Sequence, residues 1–503
     1  MADYDVIVVG GGAAGCIVAA RLSEDPDRRV LVLEAGGSHE RADVDTPESW
    51  ASLLGSELDY MYQTSVQRRT GRSYACHRGR VLGGSSSINL MTHIRGHRQD
   101  FDNWAFMGAN GWSYEDLLPY FKRTEDVPGG DPRYRGRGGP LRPRPTERPH
   151  PLSLAHVAAA RAAGHAYMED ANGPELMGTG IQDVLIEKGR RQSPATAYLA
   201  PAMRRANLVV RMGAQARRLL VQGATCNGVE YVVDGQTRTD RASQVVLCAG
   251  AIDTPRLMLL SGIGPADELE ALGLKVAMDL PGVGKNLQDH IMLAGVRFHS
   301  AAPLPPPSGN YAESTLFART LPGQIAPELQ IIPVQIDYHT AWQRPVENSF
   351  TFGIGHMRPQ SRGSLTLASS DPLAPPVIDY DYLGERYDLE QLIRGIEEAH
   401  RLAQTGAYDQ WGGRSGTDEL LALDRKGLEQ AVIDGVSSYF HASGTCRMGV
   451  DGNSVVDPSL HVHGMAGLWV ADASIMPTIV SSNTAAATMM IGEKASDLIR
   501  QAG

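Results

Sequence analysis

Cysteine is scarce in this chain, with five among 503 residues: Cys16, Cys76, Cys226, Cys248 and Cys446. No two have CxxC spacing and the number is odd. Neither a disulfide framework nor a zinc site is expected, and a reducing compartment fits. Metal-ligand clusters are absent from the pattern, so no metal is expected. No apolar run approaches the roughly 18 residues of a membrane span. The first strand is expected to begin at Tyr4, which leaves no room for the charged and apolar regions of a signal peptide. A soluble, cytoplasmic protein is the expectation. Positive charge is not in excess either: 47 Lys and Arg face 57 Asp and Glu, a formal net charge of −10. That argues against a nucleic-acid partner, which needs a basic face. The arginine-rich stretch from Arg133 to Arg148 is broken by Pro and Gly and reads as a solvated loop.

What is present points to a large folded chain. Apolar residues make up 42% of it, and a chain of this length divides into roughly two to four domains or subdomains. Tyr4 to Val9 reads as a short buried strand, Gly10 to Gly15 as a turn, and Ala13 to Ser23 as a helix with Ala14, Ile17, Val18 and Leu22 on one side. Arg29 to Leu33 reads as a second buried strand. A loop-rich region runs from Ala35 to about Gly139. Helical spacing follows from Pro149 to Ala163, and strands with glycine turns from Leu208 to Val233. Gln244 to Cys248 is another buried strand. From Ile291 to Asp381, β-branched runs alternate with Pro and Gly, which predicts an antiparallel sheet. Leu389 to Ala403 reads as a helix. Leu468 to Ala471 and Asn483 to Ile499 return to the strand–loop–helix style of the N-terminus. The fold class expected is α/β, with a Rossmann-type dinucleotide-binding domain interleaved with an α+β substrate domain carrying the antiparallel sheet. The first would take residues 1–150, 200–295 and 430–503, and the second 151–199 and 296–429.

The glycine turn has a physical reading of its own. Gly10, Gly12 and Gly15 match GxGxxG between a strand and a helix. Gly10 permits the tight turn. Gly12, with Ala13 and Ala14, lets backbone N–H groups approach a pyrophosphate at the helix N-terminus, and Gly15 lets helix and strand pack closely. Glu34 ends the second strand, at the distance beyond the glycines where a carboxylate can accept hydrogen bonds from a ribose; Ala35 follows it into the same site. This loop alone does not distinguish FAD from NAD.

Four further segments supply that distinction. Gly79-Arg80-Val81-Leu82-Gly83-Gly84-Ser85-Ser86-Ser87-Ile88-Asn89 resembles the first signature of the glucose–methanol–choline (GMC) oxidoreductase family. Gly250 to Gly264 resembles its second, and His441 to Gly449 its catalytic-histidine segment. Trp469 to Pro477, with Asn483-Thr484 and Gly492-Glu493-Lys494, resembles its C-terminal flavin segment. The motifs stand in family order and span nearly the whole chain. The resemblance implies FAD, held by Arg80, Gly83, Gly84, Ser85 and Asn89 along the flavin and pyrophosphate. Ala216 would add a cofactor contact, and Asp472 and Ala473 contacts near the ribityl–phosphate. Asn483 and Thr484 would open a helix whose dipole favours charge on reduced flavin. Some relatives attach FAD covalently to a histidine just before the signature asparagine. Ile88 stands there, so non-covalent FAD is expected. His93 stands where an aromatic Tyr or Phe is common, either as a ring-for-ring swap or as a change in the flavin environment.

Oxidising an alcohol requires removal of a hydroxyl proton and a hydride. FAD takes the hydride, so the chain must handle the proton. By resemblance His441 is the base and Asn483 the partner that hydrogen-bonds the alcohol oxygen; an amide cannot be a second base. Phe440 could wall the pocket or serve as a core aromatic. His290, Cys446 and Met448 read as structural, and His77 and His97 have no assigned role. The expected reaction is oxidation of a primary alcohol to an aldehyde, with O2 or a quinone or other carrier as electron acceptor. The substrate class favoured is a hydroxymethyl-aromatic or heteroaromatic alcohol, of aryl-alcohol, hydroxymethylfurfural or pyridoxine type. Choline-like or sugar alcohols are the alternative. A flavin-containing hydroxynitrile lyase is the alternative of another class.

Overall fold

The computed structural model describes residues 3–502. Strand Tyr4–Val9, helix Ala13–Leu22 and strand Val30–Leu33 form a βαβ unit. Val6 to Val9 and Val30 to Leu33 are all buried. They show no polar alternation because both faces of the parallel sheet are covered. Five parallel strands lie in the order Leu208–Arg211, Val30–Leu33, Tyr4–Val9, Gln236–Leu247, Leu468–Val470. The strand Gln236–Leu247 belongs to two arrangements. Its apolar end, Val245 to Leu247, pairs in parallel inside the core. Its polar start pairs antiparallel with Thr225–Val233, which in turn pairs with Gln215–Gln222.

Helix Ala485–Ala502 packs on Ala13–Leu22 through Gly492, where a Cβ would come within 3.0 Å of the Ala14 carbonyl oxygen. The same contact buries Glu493 completely. Its carboxylate accepts from Arg21 Nη2 at 2.9 Å and Tyr198 Oη at 2.8 Å, and pairs with Arg123 Nε at 2.7 Å. Removing two cations at once would leave a buried charge uncompensated, so the three donors and the acid act as a unit.

The second sheet is antiparallel throughout. Its order is Arg414–Ser415, Arg297–His299, Ser349–His356, Leu329–Val334, Ser314–Ala318, Gly178–Ile181. Ile291–Leu293 pairs with Ser349–His356 on one side and with Val436–Ser438 on the other. Every residue of Leu329–Val334 and Ser349–His356 is buried, under helices Pro151–Ala162 and Arg386–Ala403. The strand Val436–Ser438 therefore anchors this sheet just before His441.

Two features differ from the sequence reading. The loop-rich region contains helices Arg98–Phe106 and Tyr114–Thr124. Each starts in a capping box, His97 with Asp100 and Ser113 with Asp116, and the aromatics Phe101, Trp104 and Phe121 bury their faces. Short length and Pro119 masked the helical period. His97, unassigned from the sequence, is the first of these caps: its Nδ1 accepts from the Gln99 N–H. Nor is the arginine-rich stretch wholly solvated. Arg135 is 3% exposed and reaches Glu125, Asp170 and Asp183 at 2.7–3.0 Å, so a buried charge network ties that loop down. All five cysteines are buried and unpaired. Among the described residues, no helix is long and apolar enough to cross a membrane, and no cluster of His, Cys, Asp and Glu could hold a metal ion.

The glycine turn yields a prediction of sign. An alanine normally stabilises a helix relative to glycine by about 1 kcal/mol. At Gly15 the added Cβ would sit 1.9 Å from the Gly10 carbonyl oxygen. Gly15→Ala is therefore expected to destabilise by on the order of 1–3 kcal/mol, the usual cost of overpacking, read as a lower denaturation midpoint.

Candidate functional site

The C-terminal ends of the parallel strands open into one continuous cavity. Gly10, Gly12, Ala13, Ala14, Glu34, Ala35 and Ala216 line one end, and His441, Asn483 and Thr484 the other; Gly84, Ser85, Asn89, Asp472 and Ala473 lie on the wall between. The expected dinucleotide residues and the expected reacting residues thus share one space. Gly15, Gly83 and Arg80 do not line it. Gly15 and Gly83 serve close packing; a Cβ on Gly83 would sit 2.2 Å from Ser87 Oγ. The Arg80 side chain is exposed, 5.9 Å over the Tyr60 ring.

Backbone approach shapes the dinucleotide end. A Cβ at Gly84 would come 2.9 Å from Gly12 Cα, and one at Gly10 2.5 Å from the Cys248 carbonyl oxygen. A thin, elongated group can lie against such a wall because no side chain intrudes. Glu34 is 5% exposed and accepts from the Gly11 and Gly36 N–H groups at 2.8 and 2.7 Å. Burial pushes its carboxyl up to about 7 despite those bonds. Asp472 accepts from Gly250 N, Thr254 Oγ1 and Ser474 N at 2.6–2.8 Å. It locks the second signature helix, Gly250–Leu260, to the C-terminal strand. This cradle suits the phosphates and ribose of FAD: glycine-lined backbone, a helix N-terminus and an acid at the end of the second strand. Ile88 is 2% exposed and packs with Val44, Leu53, Leu58 and Val81.

At the other end a chain of hydrogen bonds sets the state of His441. His290 Nε2 faces the Val480 carbonyl oxygen at 2.9 Å. A carbonyl only accepts, so this nitrogen carries the proton. Burial holds His290 down to about 3, hence neutral, and its Nδ1 has only a lone pair to offer. His441 Nδ1 lies 2.8 Å from that lone pair and must donate to it. The His441 proton is therefore on Nδ1, and Nε2 is free to accept. Asn483 Nδ2 lies 3.3 Å from Nε2. Burial, reinforced by His290 and Arg78, keeps His441 well below the usual histidine range, so it is neutral at neutral pH. An oxygen bound between Nε2 and the Asn483 amide meets one proton acceptor and one donor.

The backbone aims this ring. Phe440 has φ +62°, a left-handed conformation that costs a non-glycine residue about 1–2 kcal/mol. Three bonds hold it there: Phe440 N to Ser438 Oγ at 2.8 Å, His441 N to Asp289 Oδ1 at 2.7 Å, and the Phe440 carbonyl to Arg78. Tyr439 stacks on His441 with ring centroids 4.8 Å apart. His290, read from the sequence as structural, thus contacts the candidate base directly. Asp289, Arg78 and Tyr439 were not singled out, since nothing in their spacing betrays partners that lie far along the chain. Phe440 lines the cavity, and so do His77 and Arg78. His93 does not; it is 1% exposed with both ring nitrogens unpartnered.

Two family models described as GMC oxidoreductase match residues 4–292 and 359–492. The chain is 38% identical to the mitochondrial choline dehydrogenase of Homo sapiens, covering 99% of this chain and 90% of that one. It is 36% identical to the oxygen-dependent choline dehydrogenase of Brucella anthropi, over 99% and 95%. Among solved structures, pyridoxine 4-oxidase from Mesorbium loti superposes with a TM-score of 0.96 at 33% identity, covering 99% of each chain.

His93 gives a pH-dependent prediction. Its imidazole is held down to about 3 by burial and by the nearby Arg135 and Arg95. The unfolded chain takes up a proton near pH 6.5 that the folded chain refuses. Stability therefore falls as pH drops below 6.5, by about 1.4 kcal/mol per pH unit for each such group. His93→Phe is expected to flatten this slope. Its denaturation midpoint should gain on wild type steadily from pH 6.5 to pH 5; parallel curves would show that His93 titrates normally.

Proposed function

Because the chain belongs to the GMC oxidoreductase family, and is thus an FAD-dependent enzyme acting on CH–OH groups, we propose that it oxidises a primary alcohol to an aldehyde, with His441 as base. The observation that carries this reading is the lone pair fixed on His441 Nε2, 3.3 Å from the Asn483 amide, in the cavity that also holds the glycine cradle. FAD, when bound, accepts the hydride. The alcohol proton goes to His441 Nε2, and Asn483 Nδ2 donates to the oxygen as negative charge develops. The imidazolium that results keeps its Nδ1–H on His290, so the ring does not have to turn. FAD is held without a covalent bond in this reading, since the apolar Ile88 offers nothing to attach it.

For the substrate we propose a hydroxymethyl group on an aromatic or heteroaromatic ring. The likeness to pyridoxine 4-oxidase over the whole of both chains supports it. The choline dehydrogenase relatives support a second reading, a choline-like alcohol. The domain division proposed is the interleaved one, with the antiparallel sheet forming the substrate side.

The test is anaerobic mixing of the yellow holoprotein with aryl, heteroaryl and choline-type alcohols, followed by flavin bleaching, then peroxide formation or dye reduction in air. His441→Ala is expected to retain FAD and lose about 10²–10⁴-fold in reduction rate. Asn483→Ala should lose rate without losing the cofactor. Undiminished bleaching in His441→Ala would sink the assignment.

A further inference from the structure

His441 meets an aromatic face as well as its hydrogen-bond partners. The Tyr439 ring lies against it with centroids 4.8 Å apart and planes within 17° of parallel. His290 meets the same imidazole edge-on, at 90°. A neutral imidazole on a tyrosine face is ordinary packing. An imidazolium there gains a cation–π attraction as well, larger where water is excluded. The proton that arrives on His441 Nε2 therefore strengthens the contact with Tyr439.

The second sheet holds Tyr439 in this place. The Tyr439 N–H donates to the His290 carbonyl oxygen at 3.2 Å, and its Oη donates to Gln330 Oε1 at 2.9 Å. Gln330 is 1% exposed, and its Nε2 donates to Thr315 Oγ1 at 3.2 Å, so the acceptor is itself tied to the next strand. Opposite Gln330 in the ladder stands Gly355. A Cβ on Gly355 would come 2.6 Å from Tyr439 Cε2 and 3.3 Å from Cδ2. Gly355 is paired in antiparallel register on both sides, with Gln330 and with Met292, so the strand backbone does not call for glycine. Glycine inside a strand costs stability and marks a site where another group approaches closely. Here that group is the Tyr439 ring. Gln330 anchors its polar tip, and Gly355 leaves room for its body.

Resting on the reading of His441 as base, we infer that Tyr439 is a positioning residue for the oxidation: seated in a slot made by Gln330 and Gly355, its ring holds His441 and stabilises it as the imidazolium forms. The antiparallel sheet thereby acts on the proton transfer through two cross-strand neighbours.

The test follows anaerobic flavin bleaching in the FAD-loaded protein to saturation, with benzyl alcohol, pyridoxine and choline as probes. Tyr439→Leu is expected to lower the saturating rate by about 3–30-fold, the worth of a desolvated cation–π contact. The half-saturating concentration should change little, because the contact strengthens only as the proton moves. Tyr439→Phe, which keeps the ring and loses only the Gln330 anchor, should recover most of that loss. Gly355→Ala should lose rate in the wild-type background and little more in Tyr439→Leu, where the ring it displaces is already gone. Flavin absorbance reports folding in each variant; if Gly355→Ala sheds FAD, the two Tyr439 variants decide. Equal saturating rates in Tyr439→Leu and wild type overturn the inference. So do equal losses in Tyr439→Phe and Tyr439→Leu, or an effect of Gly355→Ala that is the same in both backgrounds. In each of these cases the base assignment stands as long as His441→Ala is slow. Wild-type bleaching by His441→Ala, or no bleaching of wild type by any of the three alcohols, removes that assignment and the inference with it.

Discussion

The buried carboxylate of Asp289 is the constraint on which the reacting end of the cavity depends. It gathers Tyr382 Oη at 2.6 Å, Ser438 Oγ at 2.5 Å and the His441 N–H at 2.7 Å. Burial raises its pKa, and those donors oppose the rise. With three donors satisfied, the acid fixes the end of a strand, a strained turn and the backbone of the candidate base together. The left-handed Phe440 persists because the surrounding bonds over-determine it. Strain of this kind needs a rigid frame, and the strand Val436–Ser438, paired to Ile291–Leu293, provides it. Asp289 and its neighbour His290 sit just before that partner strand. One short segment thereby positions both the backbone and the imidazole of His441.

The two ends of the cavity use different physics. At the dinucleotide end, glycines remove side chains so that backbone and ligand can touch, and the acids are spent on backbone N–H groups. At the reacting end, side chains are crowded and their protonation states are fixed by acceptors of only one kind. The Val480 carbonyl forces the His290 tautomer, which forces that of His441. Low dielectric strengthens each step and keeps both rings neutral. The result is a proton acceptor whose direction is set before any substrate arrives.

Legibility from sequence followed the range of the interactions. The βαβ unit, its glycines and Glu34 lie within one short N-terminal segment, and their spacing carries strand, turn, helix and acid in order. The antiparallel sheet was legible as a class from its β-branched runs. The pairing of Ile291–Leu293 with Val436–Ser438 was not, because it joins segments separated by most of the second sheet and helix Arg386–Ala403. Helix Tyr114–Thr124 was hidden by Pro119 and by aromatics that face a core formed from distant segments. Arg135 read as solvated because its acids, Glu125, Asp170 and Asp183, come together only through folding.

The sequence by itself determined the family motifs, the glycine cradle, and the identity of His441 and Asn483 as the residues to watch. The glycine cradle depends on local spacing and on residue chemistry, and His441 and Asn483 were marked by the resemblance of their segments to the family's. Only the tertiary structure decided that His441 and Asn483 meet at 3.3 Å, that His290 dictates which His441 nitrogen is free, and that Asp289 holds the His441 backbone. Hydrogen-bond direction and charge pairing are properties of groups in space. In this chain the groups concerned lie 42 and 151 residues apart, beyond the reach of any periodicity.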